Sequence, residues 1–224
     1  MPSKQLMGAF AFLDFCLLVA GVISIVFSIV WGQSNLMLNL VFSKADLTAG
    51  LVLGSFLLFT FVFSVGAIIQ KNHVTIGLVI LNWILIGDAI VVGVIGSFIW
   101  FFTLRERANF HKIFSEQPDA TKIKIQDHLK CCGYFNSTDL AVVGGNFCAN
   151  ETFVTVTNNA TGNFCVGPIT AFADVSLNNT FSTIYGFMAI VIGLFLASLC
   201  VIKKRDEEER FKRIDAKRGG RGFV

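Results

Sequence analysis

The sequence predicts an all-α membrane protein: a four-transmembrane-helix bundle with a disulfide-stapled, mainly helical large extracellular loop between helices three and four. Three observations predict it. Hydrophobic residues make up 54% of the 224 positions and charged residues only 15%, a balance too apolar for an ordinary soluble domain. Four stretches reach the roughly 20 mostly apolar residues that a spanning helix needs. The polar segment 103–183, between the third and fourth stretches, holds four of the six cysteines, opening with Cys131-Cys132-Gly133 and followed by Cys148 and Cys165.

Taken in order, residues 1–9 form a cytoplasmic N-terminus and 10–31 the first transmembrane helix. That apolar run is too long for the core of a cleaved signal, and only Lys4 flanks it, so it reads as a retained signal-anchor. Residues 32–48 form a small extracellular loop and 49–69 the second helix. The turn at 70–73 is so short that the third helix, 74–102, must fold back beside the second as an antiparallel hairpin. Segment 103–183 is the large extracellular loop, 184–202 the fourth helix and 203–224 the cytoplasmic tail. Nine Lys or Arg residues between Lys203 and Arg221, with Lys4 and Lys71, place both termini on the cytoplasmic side. Arg105 and Arg107 point the other way, and a second marker decides between them. Asn136, Asn150, Asn159 and Asn178 each begin an Asn-x-Ser/Thr glycosylation sequon, and all four lie in the large loop. Asn178 ranks last, because it sits close to the start of the fourth helix.

Adjacent cysteines cannot easily bridge to each other, so Cys131 and Cys132 must each reach Cys148 or Cys165. Two connectivities remain open. A metal site built from His128 and the four loop cysteines is the competing arrangement; it lacks the Cys-x-x-Cys spacing usual for zinc, and no metal is expected. Cys200, just before Lys203-Lys204-Arg205, and Cys16 are candidate S-palmitoylation sites, against the alternative of small buried core residues.

Asp14, Asn82 and Asp88 are the intramembrane polar residues. A charge near the bilayer centre costs at least about 2.5 kcal/mol, and no span contains Lys or Arg to pair with Asp88, so it is expected to be protonated or bonded to a hydroxyl or amide. A proton or ion pathway would need a chain of such groups, which the sequence does not display. Hydrogen bonding between helices is the expected role, with sterol or lipid contact as the functional alternative. Small residues supply packing seams: Gly21, Ser24 and Ser28 in the first span, Gly50-x-x-x-Gly54 in the second, Gly87, Gly93 and Gly96 in the third, Gly186 and Gly193 in the fourth.

Apolar spacing across Phe101–Phe114 and Ala120–Leu129 predicts helices continuing from the third span, interrupted at Pro118. Phe172–Phe181 is expected to return as helix into the fourth. The Thr- and Asn-rich stretch Asn136–Asn163 then protrudes, and exposed loops on a stapled scaffold are natural contact surfaces. Tyr134, Phe135, Phe147, Phe153 and Phe164 divide between partner contacts and a small loop core. In the tail, Asp206, Glu208 and Glu209 precede Arg210, Lys212 and Arg213 by four residues, the favourable order for helix pairs. The basic run Lys217–Arg221 can attract anionic lipid heads.

Four spans, a small first loop, a minimal inner turn and a large second loop opened by Cys131-Cys132-Gly133 resemble the tetraspanin family over essentially the whole chain. Cys131–Thr138 (CCGYFNST), Cys165–Pro168 (CVGP), Arg107-Ala108-Asn109 and Glu209–Asp215 (ERFKRID) look most like fungal tetraspanins associated with host penetration by plant pathogens. The resemblance implies that Cys131 pairs with Cys165 and Cys132 with Cys148. Three departures stand out. Gly145-Asn146-Phe147 precedes Cys148 where many animal members have Pro-x-x-Cys, the fourth span lacks their Glu or Gln, and Asp14 stands where others often show Asn.

The implied function is a non-enzymatic membrane organiser in the plasma membrane or an endosomal or vacuolar membrane. It would bind integral membrane proteins and other tetraspanins laterally, contact membrane lipids, and serve fungal host penetration or polarised growth. No nucleic acid, small-molecule substrate or cofactor is expected beyond a bound sterol or other lipid. His73, His111 and His128 stand without a nucleophile motif or clustered carboxylates, so catalysis is not expected. The alternative is a small channel or transporter subunit. A claudin-like protein is a third option, set aside because its large loop joins the first two spans.

Overall fold

The computed structural model describes residues 4–33, 35–70 and 75–217, except for the side chains of Thr157 and Asn159. Most of the inner turn 70–73, Lys71, the first residue of the expected third span and the basic run beyond Lys217 lie outside the described residues. Every regular element described is helical: α1 Lys4–Trp31, α2 Leu36–Val41, α3 Lys44–Ile69, α4 Ile76–Thr103, α5 Glu106–Ser115, α6 Asp119–Leu129, a π-helical segment Phe153–Asn158, α7 Asn159–Thr161 and α8 Val166–Lys217. α1, α3, α4 and α8 are each long and apolar enough to cross a membrane, the make-up of a multi-pass membrane protein. Large apolar side chains such as Phe15, Phe59 and Trp83 remain exposed around these helices. A helix apolar on all sides suits hydrocarbon as its solvent.

The helices outrun the expected spans for identifiable reasons. α3 starts five residues before the expected 49 because Ser43 and Asp46 form a capping box: the Asp46 carboxylate accepts from the Ser43 N–H at 2.9 Å while the Ser43 hydroxyl accepts from the Asp46 N–H at 3.2 Å. α2 lies in the small loop, where no helix is predicted; Asn35 caps it by accepting from the N–H groups of Met37 and Leu38. α8 begins at Val166, ahead of the expected return at Phe172, and runs on into the tail as the charge spacing predicts, with Glu209 and Arg213 paired at 3.5 Å.

The chain forms two compact units. The first comprises residues 1–29, 48–95 and 184–224, which is the greater part of the four long helices. Its core is built from Leu17 on α1, Leu57 on α3, Leu81 and Leu85 on α4 and Leu194 on α8, all essentially inaccessible. Small residues bring α1 and α3 together. A Cβ on Gly54 would stand 2.8 Å from the Gly21 carbonyl and 3.1 Å from the Ile25 N–H, and one on Gly50 would meet the Ser28 hydroxyl at 2.5 Å. The seam expected from Gly21, Ser28 and Gly50-x-x-x-Gly54 is therefore a real helix contact. Gly87, by contrast, has open space around it. At another place in this unit Arg205, almost fully buried on α8, donates to the Ile68 carbonyl at 3.1 Å and so caps the end of α3.

The second unit comprises residues 30–47 and 96–183. Its main core gathers Leu40, Val41 and Phe42 from the small loop with Phe110 and Phe114 of α5, Ile125 of α6, Tyr134, and Ile169, Ala173 and Leu177 of α8. The two loops thus fold as one body. Trp31 stacks on Phe42 at 4.8 Å, which fixes the entry into α2.

The glycine seam yields a direct test. Gly54→Ala should lower the stability of the purified protein in detergent by about 1–3 kcal/mol, because two of the three obstructing atoms, the Gly21 carbonyl oxygen and the Ile25 nitrogen, are backbone. Gly66→Ala, with nothing within 4 Å of its Cβ, should be neutral or slightly stabilising. Thermal unfolding of the two variants side by side measures the difference.

Candidate recognition surface

α6 ends where Lys130 turns left-handed at φ 51, and Gly133 follows at φ 75. Only glycine accepts the second of these without cost, and a side chain there would also collide with the Asn136 carbonyl. The turn sends the two neighbouring sulfurs apart. Cys131 stands at disulfide distance from Cys165, with Cα atoms 5.0 Å apart, and Cys132 from Cys148, with Cα atoms 5.8 Å apart. Three main-chain hydrogen bonds reinforce the first junction. The Cys132 N–H donates to the Asn163 carbonyl, the Cys165 N–H to that of Gly133 and the Val166 N–H to that of Tyr134, at 2.9, 2.9 and 3.2 Å. Asn158, fully buried, adds a donor bond from Nδ2 to the Cys132 carbonyl at 2.7 Å.

A second, smaller core forms around Cys132, Cys148 and Val154, with Ala141 and Phe147 against it. Gly145-Asn146-Phe147 is docked by Asp127 of α6, whose carboxylate accepts from the Phe147 N–H at 2.8 Å. A Cβ on Gly145 would come within 2.5 Å of that carboxylate, so the glycine lets the segment leading to Cys148 lie flush against α6. Asp127 was not among the residues singled out from the sequence, since a lone acid in a polar loop has no distinguishing pattern.

The five loop aromatics divide as the two alternatives allow. Tyr134 is core: its ring is inaccessible and its hydroxyl donates to the Arg107 carbonyl at 2.9 Å. Phe147 and Phe153 meet edge to face at 5.4 Å, half-buried, and Phe164 is also half-buried. Phe135 is 46% exposed and lies on His111 with ring centroids 5.1 Å apart. His111 is in turn held against the Asp139 carboxylate at 3.2 Å. With Val143 and Val156, the latter 65% exposed, Phe135 gives the loop head apolar side chains on display.

The other candidate residues distribute as follows. Asn136 and Asn150 are exposed and their side-chain oxygens accept from the chain, Asn136 from the Thr138 and Asp139 N–H groups and Asn150 from that of Phe153. Asn178 is exposed in the body of α8, while the Asn159 side chain lies outside the described ones. Cys200 is exposed and Cys16 partly so, both as free thiols. Asp88 accepts from the Thr60 hydroxyl of α3 at 2.7 Å, and Asn82 accepts from the Ser198 hydroxyl of α8. Asp14, buried on α1, lies beside Ser64 of α3. The three intramembrane polar residues thus each meet a hydroxyl from another helix, and none of Thr60, Ser64 or Ser198 stood out in the sequence.

With this geometry in view, no family model, no curated protein and no solved structure matches the chain.

One titration distinguishes the loop unit. Glu106, at the start of α5, has its carboxyl raised to about 7, first by burial and then by the Asp174 carboxylate of α8 beside it. Burial, followed by the charge of Glu106, also lifts the Tyr134 phenol above its usual range. A carboxyl raised on folding contributes stability that is complete below its unfolded value and is lost as pH rises through the folded one. Thermal stability of the loop unit should therefore fall between about pH 4.5 and 7, and Glu106→Gln should flatten that fall in a pH-resolved melting series. Tyr134→Phe should cost about 1 kcal/mol in the same assay, the worth of its bond to the Arg107 carbonyl.

Proposed function

We propose that this protein is a non-enzymatic, tetraspanin-like membrane organiser whose large loop binds partner proteins outside the membrane while its long helices associate with integral membrane proteins and lipids. The observation that carries this reading is the stapled head: Cys131-Cys132-Gly133 directs two links to opposite sides of one turn, between the third and fourth apolar helices. Disulfides persist in oxidising compartments, which favours an extracellular or luminal loop and cytoplasmic termini. The sequons in the same segment and the basic tail agree with that orientation.

Recognition, rather than reaction, suits the head. Its exposed side chains include the apolar Phe135, Val143 and Val156, the hydroxyls of Thr138, Thr152 and Thr155 and the amides of Asn136 and Asn150, presented on a scaffold whose backbone is held by cross-links and main-chain bonds, so little ordering remains to oppose binding. Service in fungal host penetration or polarised growth is the narrower form of the proposal, and rests on the CCGYFNST, CVGP and ERFKRID segments. A channel or transporter subunit is the alternative, and would require polar residues lining one continuous path.

Replacement of residues 136–163 by a glycine-serine linker tests the proposal. Membrane partners that co-purify in mild detergent with the parent chain should be lost at least tenfold from the variant, while the long helices keep their melting behaviour. Undiminished recovery contradicts the reading, and ion flux through the purified protein in liposomes replaces it with the alternative.

A further inference from the structure

In the first unit, the large apolar side chains that stand exposed lie within 10–31, 49–69, 74–102 and 184–202, where hydrocarbon covers them, with two exceptions among the described residues. Phe211, 67% exposed, and Ile214, 45% exposed, sit on the tail end of α8. Every residue from Arg210 to Lys217 is exposed, so the bundle does not hold this part of the helix. The last buried side chain before it is that of Arg205, which caps the end of α3 and marks where that apolar span stops.

The neighbours of the two apolar side chains narrow what covers them. Phe211 and Ile214 are three residues apart, and Arg210 and Lys217 stand four before and three after Ile214, so all four share one helix face. Between 210 and 217 the basic residues are Arg210, Lys212, Arg213 and Lys217, against the single acid Asp215. Two of the acids ahead of them are engaged along the helix, Glu207 with Lys204 at 3.2 Å and Glu209 with Arg213 at 3.5 Å. A basic face carrying a phenyl and a branched aliphatic group is complementary to the anionic boundary of a bilayer, where the rings and alkyl groups sink and the cations meet phosphate. Reach agrees with this occupant. Phe211 is six residues beyond Arg205, about 9 Å along a straight helix, and the headgroup layer is about 5–8 Å deep, so a bend in the unpacked stretch brings the face into it. The bilayer also has the advantage of tethering over any soluble partner, because the same helix that displays the face is anchored in the membrane.

We propose that the tail segment 206–217 folds down onto the bilayer as an interfacial helix, inserting Phe211 and Ile214 among anionic phospholipid heads that Arg210 and Lys217 hold. The attraction expected of the basic tail thereby gains an apolar surface, and the attachment becomes sensitive to the charge of the adjoining leaflet. This deepens the lipid association of the proposed function and rests on that reading only in taking the tail as cytoplasmic.

Hydrogen exchange of the full-length protein in nanodiscs, followed by mass spectrometry across 203–217, tests it. The same lipids face both sides of a nanodisc, so the result does not depend on orientation in the cell, and failure of the organiser reading shows instead in the loop replacement above. Amides of 207–217 should exchange about tenfold more slowly in phosphatidylcholine containing about one-third phosphatidylserine than in phosphatidylcholine alone. Salt at about 0.5 M should cancel most of the difference, because it shortens the Debye length. Phe211→Ser combined with Ile214→Ser keeps every charge and should lose the protection, while Arg210→Gln combined with Lys217→Gln should lose the preference for anionic lipid. All four residues are exposed, so both variants should melt as the parent does. Equal exchange in the two lipids overturns the inference and assigns the face to a soluble partner or a second copy of the chain. Slowing by anionic lipid that survives Phe211→Ser with Ile214→Ser overturns it as well.

Discussion

The junction between Cys131 and Cys165 is the constraint from which the loop unit takes its form. It ties the end of α6 to the start of α8 across 34 residues of sequence, and closing a loop of that length in the unfolded chain is worth about 4 kcal/mol in the chain-entropy account. A helical unit whose main core holds a dozen buried residues, two of them the linked cysteines themselves, has little margin without it. The main-chain bonds from 132–134 to 163–166 add direction to the link. Because the junction fixes both ends of the intervening stretch, the exposed positions of residues 135–163 remain displayed on it.

Within the first unit the organising contacts are of another kind. Small residues admit close backbone approach between α1 and α3, and the buried Asp88 and Asn82 each accept from a hydroxyl of a neighbouring helix. In hydrocarbon there is no apolar driving force to hold helices together, so packing and a few hydrogen bonds decide which faces meet. Arg205 shows the same economy at a helix end, where a guanidinium counted as part of a basic tail supplies the donor that α3 lacks.

Much of this was legible from residue patterns because the strongest constraints act locally. Twenty apolar residues in a row admit few outcomes, and Gly50-x-x-x-Gly54 names a close contact directly. Gly133 signals a turn for the same reason. What spacing could not supply was pairing at a distance. Two disulfide connectivities were open, and the partner of each cysteine rested on family resemblance alone. Asp14, Asn82 and Asp88 were conspicuous as polar residues in apolar runs, whereas Thr60, Ser64 and Ser198 were not, since a hydroxyl in a membrane helix usually bonds its own backbone. Helix α2 escaped because six residues are too few to establish a period, although Asn35 ahead of Leu36 is a recognisable cap. Asp127 and Glu106 matter through neighbours, Phe147 and Asp174, that lie far along the chain.

Mapping of disulfide-linked peptides from the non-reduced, purified protein by mass spectrometry bears most directly on the stapled head. The account predicts two linked species, one joining Cys131 to Cys165 and one joining Cys132 to Cys148, with Cys16 and Cys200 outside both. Free thiols at Cys131 and Cys132, or links of Cys131 to Cys148 and Cys132 to Cys165, would contradict it.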